Sequence, residues 1–192
     1  MKTLKLSKIV LGLSVMFVAN LGLAQDKMMT KDTKMVGGAE MYPSKNIVEN
    51  AVNSKDHTTL VAAVQAAELA GVLQSEGPFT VFAPTNAAFD KLPEGTVATL
   101  IKPENKEQLQ TILKYHVVSG KWSAEAILGL IEKGDGKTMI ETVSGGTLTA
   151  WLKGSDVYVT DENGNSAKVT IADVNQSNGV IHVVDAVLLP KA

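Results

Sequence analysis

Two segments constrain the fold of this chain more than anything else in it. Phe79-Thr80-Val81-Phe82-Ala83 is an apolar run that passes through Pro84-Thr85-Asn86 directly into Ala87-Ala88-Phe89. With almost no polar break, it predicts a strand buried on both faces. Thr85 predicts the N-cap of the helix that follows, and the side chain of Asn86 can also bond free backbone groups. Asn178-Gly179 opens the second segment, which runs from Val180 through Leu189 to Pro190. It predicts a tight turn followed by a strand dense in β-branched residues. Tyr115-His116 lies between the two, at the end of a predicted helix.

The rest of the chain divides into a helical half and a strand half. Ser44 predicts an N-cap, with Ile47, Val48, Ala51 and Val52 spaced for one buried face. A second helix starts near Thr58 and a short one covers Ala70 to Gln74, stopped by Gly77-Pro78. Further helices are expected from Thr96 to Ile101, after Pro103, and from Ser123 as cap. After Gly134-Asp135-Gly136 the period changes to two. Strands are then expected over 138–143, 147–152, 157–160, 167–174 and 180–188, punctuated by Gly145-Gly146, Gly154-Ser155, Asn163-Gly164 and Asn178-Gly179. Helices first and strands second is an α+β order, and the strands are expected to pair as an antiparallel β-sandwich. No internal repeat has a fixed period, so residues 44–192 read as one domain.

Ahead of that domain, residues 1–24 have the pattern of a cleaved export signal. Lys2, Lys5 and Lys8 precede a short apolar run, and Gly22-Leu23-Ala24 supplies small residues where a signal peptidase reads. That run is short for the roughly 20 apolar residues of a membrane span. Residues 25–43 are polar and read as a flexible tether. Met28, Met29, Met35 and Met41 fall there; thioethers can hold Cu(I), but no His or Cys accompanies them. The expected location is therefore periplasmic or extracellular, with no transmembrane anchor after cleavage.

Composition excludes several functions. The formal net charge is −2, and cleavage would remove three lysines and no acid. All 18 basic residues are lysine, so the chain lacks the guanidinium fork that reads guanine edges and clamps phosphates. Nucleic acid is thus not an expected partner. With no cysteine, packing alone must hold the fold in an oxidising compartment.

In its two segments and their central dipeptide, the chain resembles the fasciclin domain family. Thr80 to Phe89 and Asn178 to Pro190 match the two family signatures, Tyr115-His116 matches the Tyr-His motif, and the resemblance runs from about Asn46 to Pro190. It implies a wedge of antiparallel β-strands packed against several N-terminal and central α-helices. It also implies a secreted or cell-surface adhesion module that contacts a protein or polysaccharide partner without catalysis. Two partner-binding motifs carry over: Tyr115-His116, and an Asp-Ile dipeptide whose place is held by Asp173-Val174, with valine for isoleucine.

The residues themselves offer no catalytic set. Neither Gly-x-Ser-x-Gly, nor a P-loop, nor a dinucleotide glycine triad, nor His-Glu-x-x-His occurs. In a strand, His182 and Asp185 point to opposite faces, so they cannot share a metal. His116 and His182 read as core residues with satisfied ring nitrogens, and His57 as a neighbour of a helix start. No metal or cofactor is expected. The alternative is an envelope binding protein for a small apolar ligand or metal, whose sign would be a deep apolar pocket with converging polar groups.

Overall fold

The structure is a computed structural model and describes residues 32–191. The expected export signal, with Met28 and Met29, lies outside the described residues. The description begins with a hairpin of two short strands, β1 (Lys34–Val36) and β2 (Ala39–Met41). This corrects the reading of 25–43 as tether throughout. Val36 and Met41 are buried in the core, while Met35 faces out at 58% exposure. Met35 and Met41 therefore do not converge on a common ligand.

Three helices follow: α1 (Ile47–Ala51), α2 (Thr58–Ala66) and α3 (Ala70–Gln74). Asn46 caps α1, not Ser44. Its side chain takes the Glu49 N–H while the Glu49 carboxylate takes the Asn46 N–H. Asn46 stands three residues before a glutamate, and that spacing makes the reciprocal box. Strand β3 (Phe79–Pro84) then leads into α4 (Asn86–Phe89), which Thr85 caps as its sequence predicts. Helices α5 (Thr96–Leu100) and α6 (Lys106–Tyr115) precede β4 (Val117–Ser119), and α7 (Ala124–Lys133) carries a Ser123 cap.

The remaining strands are β5 (Lys137–Glu141), β6 (Thr147–Lys153), β7 (Asp156–Thr160), β8 (Ser166–Gln176) and β9 (Gly179–Val184). They form one sheet with β3 and β4, in the order β4-β3-β9-β8-β7-β6-β5. Every pairing is antiparallel except one: β3 and β9, the two signature strands, lie parallel with Val81 opposite Ile181. The sheet is therefore mixed. It curls instead of stacking as a sandwich, because Val143, just past β5, donates its N–H to Val117 of β4 at 2.8 Å. The two sheet edges meet there.

The curl separates two cores, and β3 and β9 serve both. Val81, Ala83, Ile181 and Val183 point toward the helical layer of α1, α2 and α6. Phe82 and Val184 point into the curl, where Ile127 and Ile131 of α7 pack against Leu148 and Val159. Both faces of each strand are thus buried, which is why neither segment shows the alternation of a one-sided strand. The close parallel pairing also explains a glycine: a Cβ on Gly179 would stand 2.0 Å from the Phe79 carbonyl oxygen.

Candidate functional site

The Tyr-His pair sits where α6 ends against the mouth of the curl. Tyr115 is fully buried. Its hydroxyl donates to the Thr147 carbonyl at 2.8 Å and accepts the Glu162 N–H at 3.1 Å. Burial pushes its phenol up to about 12. A Cβ on Gly146 would lie 2.7 Å from the ring, so that turn needs glycine for the ring to seat.

His116 is bound on three sides. Its carbonyl accepts the Phe82 N–H at 2.9 Å, in the first signature. Its Nδ1 donates to Ile112 O at 2.8 Å, and its Nε2 accepts the Leu188 N–H at 3.0 Å, in the second signature. Both ring contacts require the neutral tautomer with the proton on Nδ1. Burial accordingly pushes His116 down to about 4, against the opposing pull of the Ile112 carbonyl and the Asp161 charge.

Asp173 and Val174 lie on β8, where the register against β9 shifts between Ile171 and Val174. Asp173 takes a left-handed φ of 53° there. Its carboxylate accepts the Ala124 N–H at 2.7 Å, in the first turn of α7, and its own N–H donates to His182 Nδ1 at 3.3 Å. His182 Nε2 donates to Trp122 O at 2.8 Å, and its ring stacks on Phe82 at 5.6 Å. Burial lowers its pKa. Val174 is buried in the helical-side core.

These positions correct the reading of the four residues as a contact patch. Tyr115, His116 and Val174 have almost no exposed surface, and Asp173 is half-buried with its carboxylate engaged. They belong to two separate networks: Tyr115-His116 joins α6 to both signatures, and Asp173 joins β8 to α7. Each holds the backbone in place.

The sequence does not reveal the matching roles of Asn178 and Asp161, while Asn86 bonds a free backbone donor as its position predicts, though on a distant helix. Asn178 accepts the Ile47 N–H at the start of α1 and donates to Leu73 O and Ser75 O at the end of α3. Asp161, buried, accepts the N–H groups of Asn163, Asn165 and Leu189. Asn86 accepts the Thr59 N–H and so satisfies α2, whose own N-cap His57 makes no capping bond. Each looks like a turn or cap residue in sequence, and the bonds that matter reach elements far away in the chain.

Two features outside these networks have a different character. The outer face of the curl carries Trp151 stacked on Tyr158 at 5.1 Å, and Met139 of neighbouring β5 is 75% exposed. A cavity of about 130 Å³ lies between α1, α2, α3 and the β3–β9 face. Among the described residues no cluster of three or more His, Asp or Glu is placed to hold a metal. No helix among them is long and apolar enough to cross a membrane.

Helices clasping one curled mixed sheet, with its parallel signature strands tied by a buried histidine, define a scaffold of the FAS1 type. The Fasciclin domain family matches residues 55–190, and the chain belongs to that family. It is 46% identical over 161 residues to protein sll1483 of Synechocystis sp., covering 84% of this chain and 82% of that protein. It is 37% identical over 152 residues to immunogenic protein MPB70 of Mycobacterium bovis, covering 74% of this chain and 67% of that one. The solved FAS1 domain pair of the insect cell adhesion molecule Fasciclin I superposes with a TM-score of 0.68 at 16% identity, over 77% of this chain. This chain spans about half, 52%, of that one, and the likeness is one of fold.

Proposed function

We propose that the chain is an exported, non-catalytic adhesion or interaction module that contacts a protein or polysaccharide partner in the envelope, matrix or at a cell surface. The observation that carries this reading is the outer face of the curl. Trp151 and Tyr158 stack there beside exposed Met139, with Lys137, Thr149 and Thr160 around them. Aromatic residues and methionine are enriched where proteins meet partners, and paired rings bring large rigid area at little entropic cost. Family membership and the fold shared with a cell adhesion molecule support the same reading.

Tyr115, His116, Asp173 and Val174 serve this surface as internal support. Their bonds fix the turns that hold the strands, and none of them supplies the contact itself. Membership of the Fasciclin domain family supports the lack of catalysis.

Binding of the full chain to an envelope fraction, immobilised and titrated, tests the reading. Met139→Lys is expected to weaken binding at least tenfold while leaving the melting temperature unchanged, because that side chain is 75% exposed. Binding equal to that of the unaltered protein would remove this face from the proposal.

A further inference from the structure

The cavity has the chemistry of a ligand site. Its walls are almost wholly apolar: Leu60 and Val64 from α2, Val81 and Ile181 from the paired signature strands, and Val36 and Met41 from the N-terminal hairpin. At about 130 Å³ it is close in size to an engineered apolar cavity of about 150 Å³ that binds benzene or xenon. Two exposed valines, Val72 at 52% and Val143 at 44%, belong to the same lining, so the walls reach the surface. A closed core of this size would seal its methyl groups instead of ending at exposed ones.

Four polar residues interrupt the apolar walls, His57, Gln65, Lys114 and His116; Gln65 is exposed, Lys114 is half-buried, and both ring nitrogens of His116 are already bonded. His57 lines the cavity and is buried at 4% exposure. Its Nδ1 lies 2.9 Å from the Ser54 hydroxyl. Its Nε2 is buried near the Ala83 backbone and makes no hydrogen bond of acceptable geometry. Buried ring nitrogens in native proteins nearly always have a well-aligned partner, and within the fold this one has only the Ala83 backbone nearby. Burial also lowers the pKa of His57, in keeping with a neutral ring that can donate or accept according to the direction of the Ser54 hydroxyl.

We infer that the cavity binds a neutral, mainly apolar molecule of about benzene size that carries one hydrogen-bonding oxygen, with His57 Nε2 as its polar partner. A charged ligand is disfavoured, since Lys114 is the one ionic residue in the lining and the rest of the walls would desolvate a charge without pairing it. The site is independent of the outer sheet face, so either assignment can fail without the other.

Methyl-resolved NMR titrations of the full chain with benzene and with phenol test the site. Both are expected to shift the methyl signals of Leu60, Val64 and Ile181 and to show ligand-to-methyl contacts there. Phenol should bind about tenfold more tightly than benzene, the worth of one added hydrogen bond of about 1.4 kcal/mol. His57→Phe should abolish that preference while benzene still binds, and Val64→Phe should abolish both by filling the space. Shifts scattered over surface residues, or none up to the solubility limit, would overturn the site. Equal affinity for phenol and benzene in the unaltered protein would overturn the role of His57. The ligand-to-methyl contacts need no substitution, so the site is decided even if a variant does not fold.

Discussion

His116 Nε2 accepts the backbone N–H of Leu188 at 3.0 Å, joining the end of helix α6 to the segment that leaves strand β9. That bond exists only while the imidazole is neutral, because a protonated ring has no acceptor. One histidine therefore makes the closure of the chain's C-terminal end sensitive to acid.

The sign of the effect follows from the depressed pKa. Burial holds His116 near 4 in the folded protein, whereas the unfolded chain takes its proton near the ordinary 6.5. The stabilisation from the neutral ring is complete above about pH 6.5. It falls as pH drops from there to about 4 and is constant below, a loss of roughly 3 kcal/mol at 1.36 kcal/mol per unit. His182 and His57, also lowered by burial, add losses of the same sign. Urea unfolding at pH 7 and pH 4.5 should show the drop. His116→Gln, which can donate and accept without titrating, should lower stability at pH 7 and flatten the slope. An unchanged slope in that variant would contradict the neutral assignment.

Tyr115 should prove a structural anchor. Tyr115→Phe keeps the ring but strands the Thr147 carbonyl and the Glu162 N–H, at a cost of about 1–3 kcal/mol. Tyr115→Ala should cost about 3–5 kcal/mol and lower the melting temperature strongly. Gly146→Ala should also destabilise, by about 1–3 kcal/mol, since the added methyl meets the same ring. In the Gly146→Ala, Tyr115→Ala double variant the losses should sum to less than the separate values. A strictly additive result from calorimetry would show that the glycine is there for another reason.

What could be read in the sequence follows the range of each signal. Phe79 to Ala83 is legible because burial on both faces leaves an unbroken apolar run, and Thr85 because a cap acts on the next few residues. The hairpin of Lys34–Val36 and Ala39–Met41 was not legible. Three-residue strands cannot show a period, and only Val36 and Met41 reach the core. Nor could the parallel pairing of β3 with β9 be read, because nothing local distinguishes it from an antiparallel one. The second signature predicts a strand to Leu188, yet β9 ends at Val184. There the Leu188 and Leu189 N–H groups leave the ladder for His116 and Asp161, partners that only the folded chain brings near. For Tyr115 and His116, sequence cannot tell a contact from an anchor, since both are polar and aromatic.

Asp173 combines an unfavourable backbone with two bonds, so substitutions there should separate the contributions. Asp173→Asn preserves an acceptor for the Ala124 N–H, and asparagine tolerates the left-handed region, so it should cost least. Asp173→Gly relieves the φ of 53° but loses the acceptor, for an intermediate effect. Asp173→Ala keeps the strain and loses the bond, and should cost about 1–2 kcal/mol. Urea midpoints at pH 7 in that order would support the account. If glycine proves the most stable of the three, backbone strain outweighs the bond to helix α7.

Asn178 offers the sharpest test of how the helical layer is fastened to the sheet. Its Oδ1 accepts the Ile47 N–H at 3.0 Å, and its Nδ2 donates to Leu73 O at 2.8 Å and Ser75 O at 3.0 Å. Its backbone carbonyl meanwhile accepts the Phe79 N–H at the start of β3. One side chain thus joins the beginning of α1 and the end of α3 to the turn before β9. Asn178→Asp keeps the acceptor but brings a negative charge against two carbonyl oxygens, which repel it and lose their donor. Asn178→Ala loses all three bonds but introduces no charge. Leaving buried backbone groups unpaired costs about 1–3 kcal/mol, and more where a charge is involved. Asn178→Asp should therefore be at least as destabilising as Asn178→Ala at pH 7, and should recover as acid protonates the new carboxyl. Hydrogen exchange should locate the damage: in both variants the α1 and α3 amides lose protection, while amides of β6 and β7 keep theirs. Uniform loss across the sheet would show that helical layer and curl unfold as one unit, with Asn178 no more than one bond among many.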